Sequence, residues 1–215
     1  LDGRVALVTG SSTGLGKAVA FSLARSGARV ALNYFNNEER AAETLGEFQA
    51  EGLEGVMLRG DVSDESAVNA LCGEVVEKLG EIDILVVNAT PDQPQMPIEE
   101  FTWEHFQTMI DFFIKSPYLL TRAVLPHMKK NRWGRIINIS STSGVSGGTS
   151  GIHYAATKGG VIAMSLALAK EVANRGITVN VIAPSKIDTD MFRTSVKPED
   201  RESVVGRIPV GRLGQ

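Results

Sequence analysis

Residues Arg4–Gly16 read Arg-Val-Ala-Leu-Val-Thr-Gly-Ser-Ser-Thr-Gly-Leu-Gly, and this stretch decides how the rest of the chain is organised. Four apolar residues of β type run into a turn of small residues, and a helical pattern begins at Lys17 and continues to Ser26. Glycines at 10, 14 and 16 permit a tight turn, a close approach of backbone to an anion, and contact between helix and strand. A helix start at this place presents unpaired N–H groups and a partial positive charge, the elements of a pyrophosphate cradle. The spacing is Gly-x-x-x-Gly-x-Gly, so an ordinary β–α turn stays an equal alternative until the remainder of the chain is read.

That remainder repeats the same alternation. Ala28–Tyr34 is a short β-like run, 38–50 is polar and helical up to Gly52, 55–59 is β-like, 64–79 is helical behind an Asp/Ser cap and ends at Gly80, and 82–87 is continuously apolar. Solid apolar strands separated by helices of about a dozen residues predict right-handed βαβ units and a parallel sheet buried on both faces. Residues 102–131 are helical with interruptions at Pro117 and Pro126, 135–139 form a fifth strand, a loop rich in glycine and serine follows, 154–174 are helical, and 177–183 supply a sixth strand. Residues 185–210 mix proline, glycine and charge, as expected of a mobile segment over a site.

Size and charge exclude several classes. The 215 residues, 43% of them hydrophobic, suit one α/β domain. The 22 basic residues nearly balance 25 acidic ones without any run of like charge, so neither a nucleic acid nor a membrane surface is an expected partner. No apolar run reaches the roughly 20 residues of a membrane span and no leader pattern opens the chain, which reads as cytoplasmic. Cys72, the one cysteine, falls in a helical pattern and reads as a packing residue. No metal-ligand set is expected.

Ligands in open α/β sheets bind beyond the carboxyl ends of the strands. Those ends hold Gly10–Gly16, Asn33–Phe35, Asp61-Val62, Asn88-Ala89-Thr90, Ser140-Ser141 and Pro184-Ser185. Tyr154 and Lys158 lie one helical turn apart on one face, where a fixed ammonium would favour the phenolate and lower the tyrosine pKa. Ser141 stands at the end of the preceding strand, placed to share a substrate oxygen with that phenol. On spacing alone the alternative is a core tyrosine beside a solvated lysine.

Taken together, Thr9-Gly10-x-x-x-Gly14-x-Gly16, Asp61, Asn88-Ala89, Ser141, Tyr154-x-x-x-Lys158 and Gly176-Ile-Thr-Val-Asn180-Val-Ile-Ala-Pro184 resemble the short-chain dehydrogenase/reductase family over essentially the whole chain. The texture is most similar to its 3-oxoacyl-carrier-protein reductase and sugar or polyol dehydrogenase branches. The resemblance implies a doubly wound Rossmann sheet in three layers, α/β/α, and hydride transfer between nicotinamide C4 and a carbonyl or alcohol carbon of a small molecule. It implies Tyr154 as general acid or base, Ser141 as the group orienting the carbonyl oxygen, and Lys158 as the partner of the tyrosine and of the ribose hydroxyls. Cofactor contacts are implied at Gly10, Ser12, Thr13, Gly14, Leu15, Gly16, Asn33, Asp61, Val62, Asn88, Ala89, Tyr154, Lys158, Pro184 and Ile187. A homodimer or homotetramer through the helices at 102–131 and 154–174 is implied as well. Uncharged Thr13, Asn33, Tyr34 and Phe35 neither repel a 2′-phosphate nor plainly attract one, and the lean between NAD and NADP is to NADP.

The chain departs from the family pattern at four places. Thr90 and Ser185 stand where the family carries glycine, which puts the local loop backbone in question. Phe113 stands where the family carries an active-site asparagine that helps hold a proton-relay water. Pro117 lacks the N–H that would meet the Phe113 carbonyl, so either that carbonyl anchors the water or Phe113 packs and the relay is lost. The family also commonly continues beyond a segment like Gly211-Arg-Leu-Gly214, and the natural chain is expected to be longer. Phe113 and Thr90 motivate the alternative of a catalytically weak dinucleotide-binding sensor or partner subunit.

Overall fold

The computed structural model describes residues 1–91, 93, 96–147 and 151–215; residues 148–150, part of the loop rich in glycine and serine, lie outside it. Six parallel strands, β1 (Val5–Val8), β2 (Arg29–Tyr34), β3 (Gly55–Arg59), β4 (Ile84–Val87), β5 (Gly134–Ile139) and β6 (Ile177–Ile182), form one sheet in the order β3-β2-β1-β4-β5-β6. The reversal of strand order between β1 and β4 is the switch point at which such sheets open a crevice.

The period of two along each strand sorts side chains into two cores. Val5 and Leu7 of β1, with Leu85 and Val87 of β4, face one layer. There they meet Val68, Leu71 and Val75 of α3 (Glu65–Leu79) and Leu119, Leu120 and Val124 of α5 (Ser116–Asn131). Ala6, Val8, Ile84 and Val86 face the other, where Ala20, Phe21 and Ala24 of α1 (Gly14–Arg25) pack with Phe48 of α2 (Glu38–Ala50). Phe48 is wholly buried and meets Phe21 edge to face at 5.0 Å. β1 and β4 are buried at every position, as solid apolar runs require. Cys72 is packed into the first core, and burial pushes its thiol up to about 11, so the packing role holds.

Capped helices start where their sequences say, whereas the first helix begins at Gly14 and the one before β6 at Ile152, ahead of the expected Lys17 and Tyr154. The side chains of Asn37, Asp64 and Thr102 accept from the backbone N–H three residues on, capping α2, α3 and α4 (Trp103–Ile110). Between α4 and α5 the chain makes a π turn over Asp111–Lys115. Residues 185–210 carry two short helices, α8 (Asp190–Ser195) and α9 (Arg201–Gly206); α6 (Ser143–Ser146) and α7 (Ile152–Val172) precede β6.

Candidate active site

The glycine loop is braced from three strands. Gly10, at φ +61°, lies so close to Ala89 that a Cβ there would stand 2.6 Å from the Ala89 Cα. Asn33 Oδ1 accepts from Gly10 N–H at 3.2 Å, and its Nδ2 donates to the carbonyls of Tyr34, Leu58 and Gly60. Asn88 Nδ2 donates to the carbonyls of Thr9 and Gly10 at 3.0 Å each, and Thr9 Oγ1 accepts from the N–H groups of Asn88 and Ala89. The amides of Asn33 and Asn88 are thus committed to the frame: both residues shape the loop, and their side chains are not free ligand donors.

α1 differs from α2, α3 and α4 at its start. Thr13 occupies the N-cap in extended conformation without a side-chain cap, and no acid stands in the first turn. The N–H groups of Gly14, Leu15 and Gly16 therefore face the strand ends without a protein acceptor supplied by that cap. This donor set fits a pyrophosphate. Ser12 turns its carbonyl to Thr44 Oγ1 at 2.8 Å. Asp61 Oδ1 accepts from Ser63 N–H and Oγ, and Val62 beside it is buried. Thr189, which sequence reasoning missed, caps α8 and places its methyl 3.5 Å from the point a Gly14 Cβ would occupy. Only its position shortly after β6 could have marked it. Ile187 pairs with Gly214, and Pro184 C=O accepts from Thr142 N–H, which fixes both flanks of that crossing.

Ser141, Tyr154 and Lys158 come together beyond β5. The Ser141 hydroxyl acts on the Tyr154 phenol, and Lys158 Nζ lies 5.7 Å from the Tyr154 ring centroid. The Lys158 side chain is buried, donates to Ile139 C=O at 2.8 Å and stands 3.9 Å from the centroid of the Phe113 ring. Phe113 in turn meets the Tyr154 ring nearly perpendicularly at 5.5 Å. The spacing implies a phenol acidified by its ammonium neighbour, whereas in the cofactor-free site burial is the larger influence on it. Burial raises the Tyr154 pKa, the Ser141 hydroxyl opposing it only in part, and burial pushes Lys158 down to about 7.

The π turn also adds a free carbonyl. Ser116 N–H donates to Asp111 C=O in an i−5 bond, and the next residue is Pro117, which has no N–H. Phe112 C=O is therefore left without a helical donor, and the i−4 partner that Phe113 C=O would have is Pro117 as well. Thr90 and Ser185 adopt no positive φ, so neither glycine replacement strains its loop.

Comparison with known proteins agrees with this geometry. The family profile described as short chain dehydrogenase matches residues 4–200. The chain belongs to the short-chain dehydrogenase/reductase family. It is 43% identical to the 3-oxoacyl-[acyl-carrier-protein] reductase of Pseudomonas aeruginosa over 100% of this chain and 86% of the relative. It is 40% identical to nodulation protein G of Azospirillum brasilense over 99% of this chain and 85% of that protein. A crystal structure of an actinorhodin polyketide ketoreductase variant with NADPH superposes with a TM-score of 0.93 at 32% identity, over 99% of this chain and 85% of the other. As a short-chain dehydrogenase/reductase, the protein is an NAD(P)-dependent oxidoreductase acting on small molecules at CH–OH/C=O. Among the described residues no helix is long and apolar enough to cross a membrane.

Proposed function

We propose that the protein reduces the keto group of a 3-oxoacyl thioester with NADPH as the preferred reductant. The observation that carries this reading is the cluster of half-buried Ser141 and Tyr154 with buried Lys158 at the carboxyl end of the sheet, in a chain 43% identical to a 3-oxoacyl-[acyl-carrier-protein] reductase. When bound, the nicotinamide supplies a hydride to the carbonyl carbon. Ser141 holds the carbonyl oxygen, and Tyr154 delivers its phenolic proton to that oxygen as the C–O double bond becomes a C–O single bond. Because burial raises the Tyr154 pKa, the phenol keeps its proton at neutral pH, which is the form a reduction consumes. Lys158 would hold the ribose hydroxyls and offset the charge left on the tyrosine.

The lean to NADPH is supported by the loop after β2, where Tyr34, Phe35 and Asn36 place no carboxylate against a 2′-phosphate. Arg59 lies beside that loop, its Nε donating to Phe35 C=O at 3.0 Å. Exposed Trp103, Tyr118 and Leu166 on α4, α5 and α7 support association of copies through those helices, which light scattering on the purified chain tests directly.

The central test follows absorbance at 340 nm with NADPH and NADH, each against a short 3-oxoacyl thioester, a diketone and a sugar ketone. Loss of absorbance fastest with NADPH and the thioester is the expected outcome. Tyr154→Phe should lower turnover on the order of 10²–10⁴-fold with little change in cofactor affinity. Turnover unchanged in that variant would refute the assignment of the proton donor.

A further inference from the structure

A cavity of about 10 Å³ lies where β4, β5, the π turn and α7 meet, lined among others by Val87, Ala89, Phe113, Asn138, Ile139 and Lys158. That volume is at the lower limit for one water molecule, which also needs two or more polar partners. Asn138 supplies one. Ser165 Oγ donates its proton to Val161 C=O at 2.7 Å, so it must accept from Asn138 Nδ2 at 2.8 Å. This fixes the orientation of the amide and leaves Asn138 Oδ1, in a residue 2% exposed, without a hydrogen-bond donor among the described residues. A buried acceptor left in that state is costly. Lys158 supplies the other partner: its ammonium has three protons, of which one is given to Ile139 C=O. Phe112 and Pro117, the residues at the gap in the helical ladder, line the same cavity.

We propose that one buried water bridges Lys158 Nζ to Asn138 Oδ1, accepting from the first and donating to the second, and that Asn138 is thereby a positioning residue for Lys158. The ring of Phe113 closes another side of the ammonium at 3.9 Å, so the bridge is the polar contact available to it beside the Ile139 carbonyl. Groups facing Lys158 are Tyr154 from α7, Phe113 from the π turn, Asn138 and the Ile139 carbonyl from β5, and the apolar Val87 and Ala89. No carboxylate contributes to its proton affinity, which burial alone depresses. The water site stands independently of the substrate; its consequence for turnover rests on the reductase reading.

Two measurements on the cofactor-free protein decide the matter without any turnover. A high-resolution crystal structure should show an ordered water within hydrogen-bond distance of both Lys158 Nζ and Asn138 Oδ1. An NMR titration of the Lys158 side chain should show its pKa falling by about one pH unit in Asn138→Leu, because a hydrogen bond to the charged form is lost. Ser165→Ala, which removes the other partner of the amide, should leave that pKa in place and so controls for disturbed packing. An absent water, or a Lys158 titration equal in folded Asn138→Leu and wild type, would overturn the proposal. If Asn138→Leu does not fold, the wild-type density decides alone. Failure of the thioester panel would count against the reductase reading and leave both measurements intact.

Discussion

Gly16→Ala tests whether the glycine loop is held by the close approach of α1 to the ends of β1 and β4. A Cβ at position 16 would overlap the Gly10 carbonyl oxygen and Asn88 Nδ2, well inside the 3.0 Å that real Cβ atoms keep. Gly10 contributes backbone there, so the conflict cannot be relieved by rotating a side chain. Overpacking of this kind costs about 1–3 kcal/mol, and the two Asn88 bonds to Thr9 and Gly10 add about 1 kcal/mol each when the amide is displaced. A total of about 3–5 kcal/mol corresponds to a fall in melting temperature of about 6–20 °C for a chain of this size. The same displacement moves the N–H groups at the start of α1, so NADPH affinity, read by fluorescence titration, should fall with stability. Gly46→Ala is the matched control. Gly46 lies on the exposed face of α2 with nothing within 4 Å of an added Cβ, so the change should stabilise by about 0.5–1 kcal/mol and leave affinity alone. A Gly16→Ala protein with the wild-type melting temperature and the wild-type NADPH affinity would refute the reasoning.

Lys158→Met tests the electrostatic burden of the buried ammonium. The folded pKa of about 7 lies below the ordinary 10.5, so the folded state binds fewer protons than the unfolded state between those values and stability rises with pH across that window. The penalty is complete below pH 7 and worth up to about 5 kcal/mol. The cofactor-free variant should therefore melt higher than wild type at pH 6, with the advantage shrinking by pH 9; an advantage constant with pH would count against the assignment. Cys72 should react with a thiol reagent at pH 8 only as fast as the chain unfolds, since its thiol is buried and its pKa about 11; stoichiometric reaction of the native protein within minutes would contradict its place in the core.

The frame of the molecule was legible because each strand and helix announces itself locally. Val5–Val8 and Ile84–Val87 are too uniformly apolar for anything but doubly covered strands, and Asn37, Asp64 and Thr102 mark helix starts by their chemistry. The chemical cluster was legible from the spacing of Tyr154 and Lys158 once Ser141 was placed at a strand end. What escaped depends on packing across the chain. Pro117 signals an interruption without saying that the ladder slips to i−5, which leaves the Phe112 carbonyl without a helical donor as well. Charge proximity suggests an acidified tyrosine, but the sequence does not disclose that Phe113 covers the lysine and that burial raises the tyrosine pKa. The framework role of the Asn33 and Asn88 amides escaped as well, because nothing in their neighbours along the chain reveals how many carbonyls converge on each.

The commitment of Asn33 has an evolutionary corollary. One buried amide ties the glycine loop to the ends of β2 and β3, so the scaffold beneath the adenosine end is stabilised from inside. Its neighbours Phe35 and Asn36 are exposed and are insulated from that scaffold. Charge at those positions is therefore free to drift by single surface substitutions, and a lineage carrying this frame can exchange one coenzyme for the other without passing through an unstable ancestor.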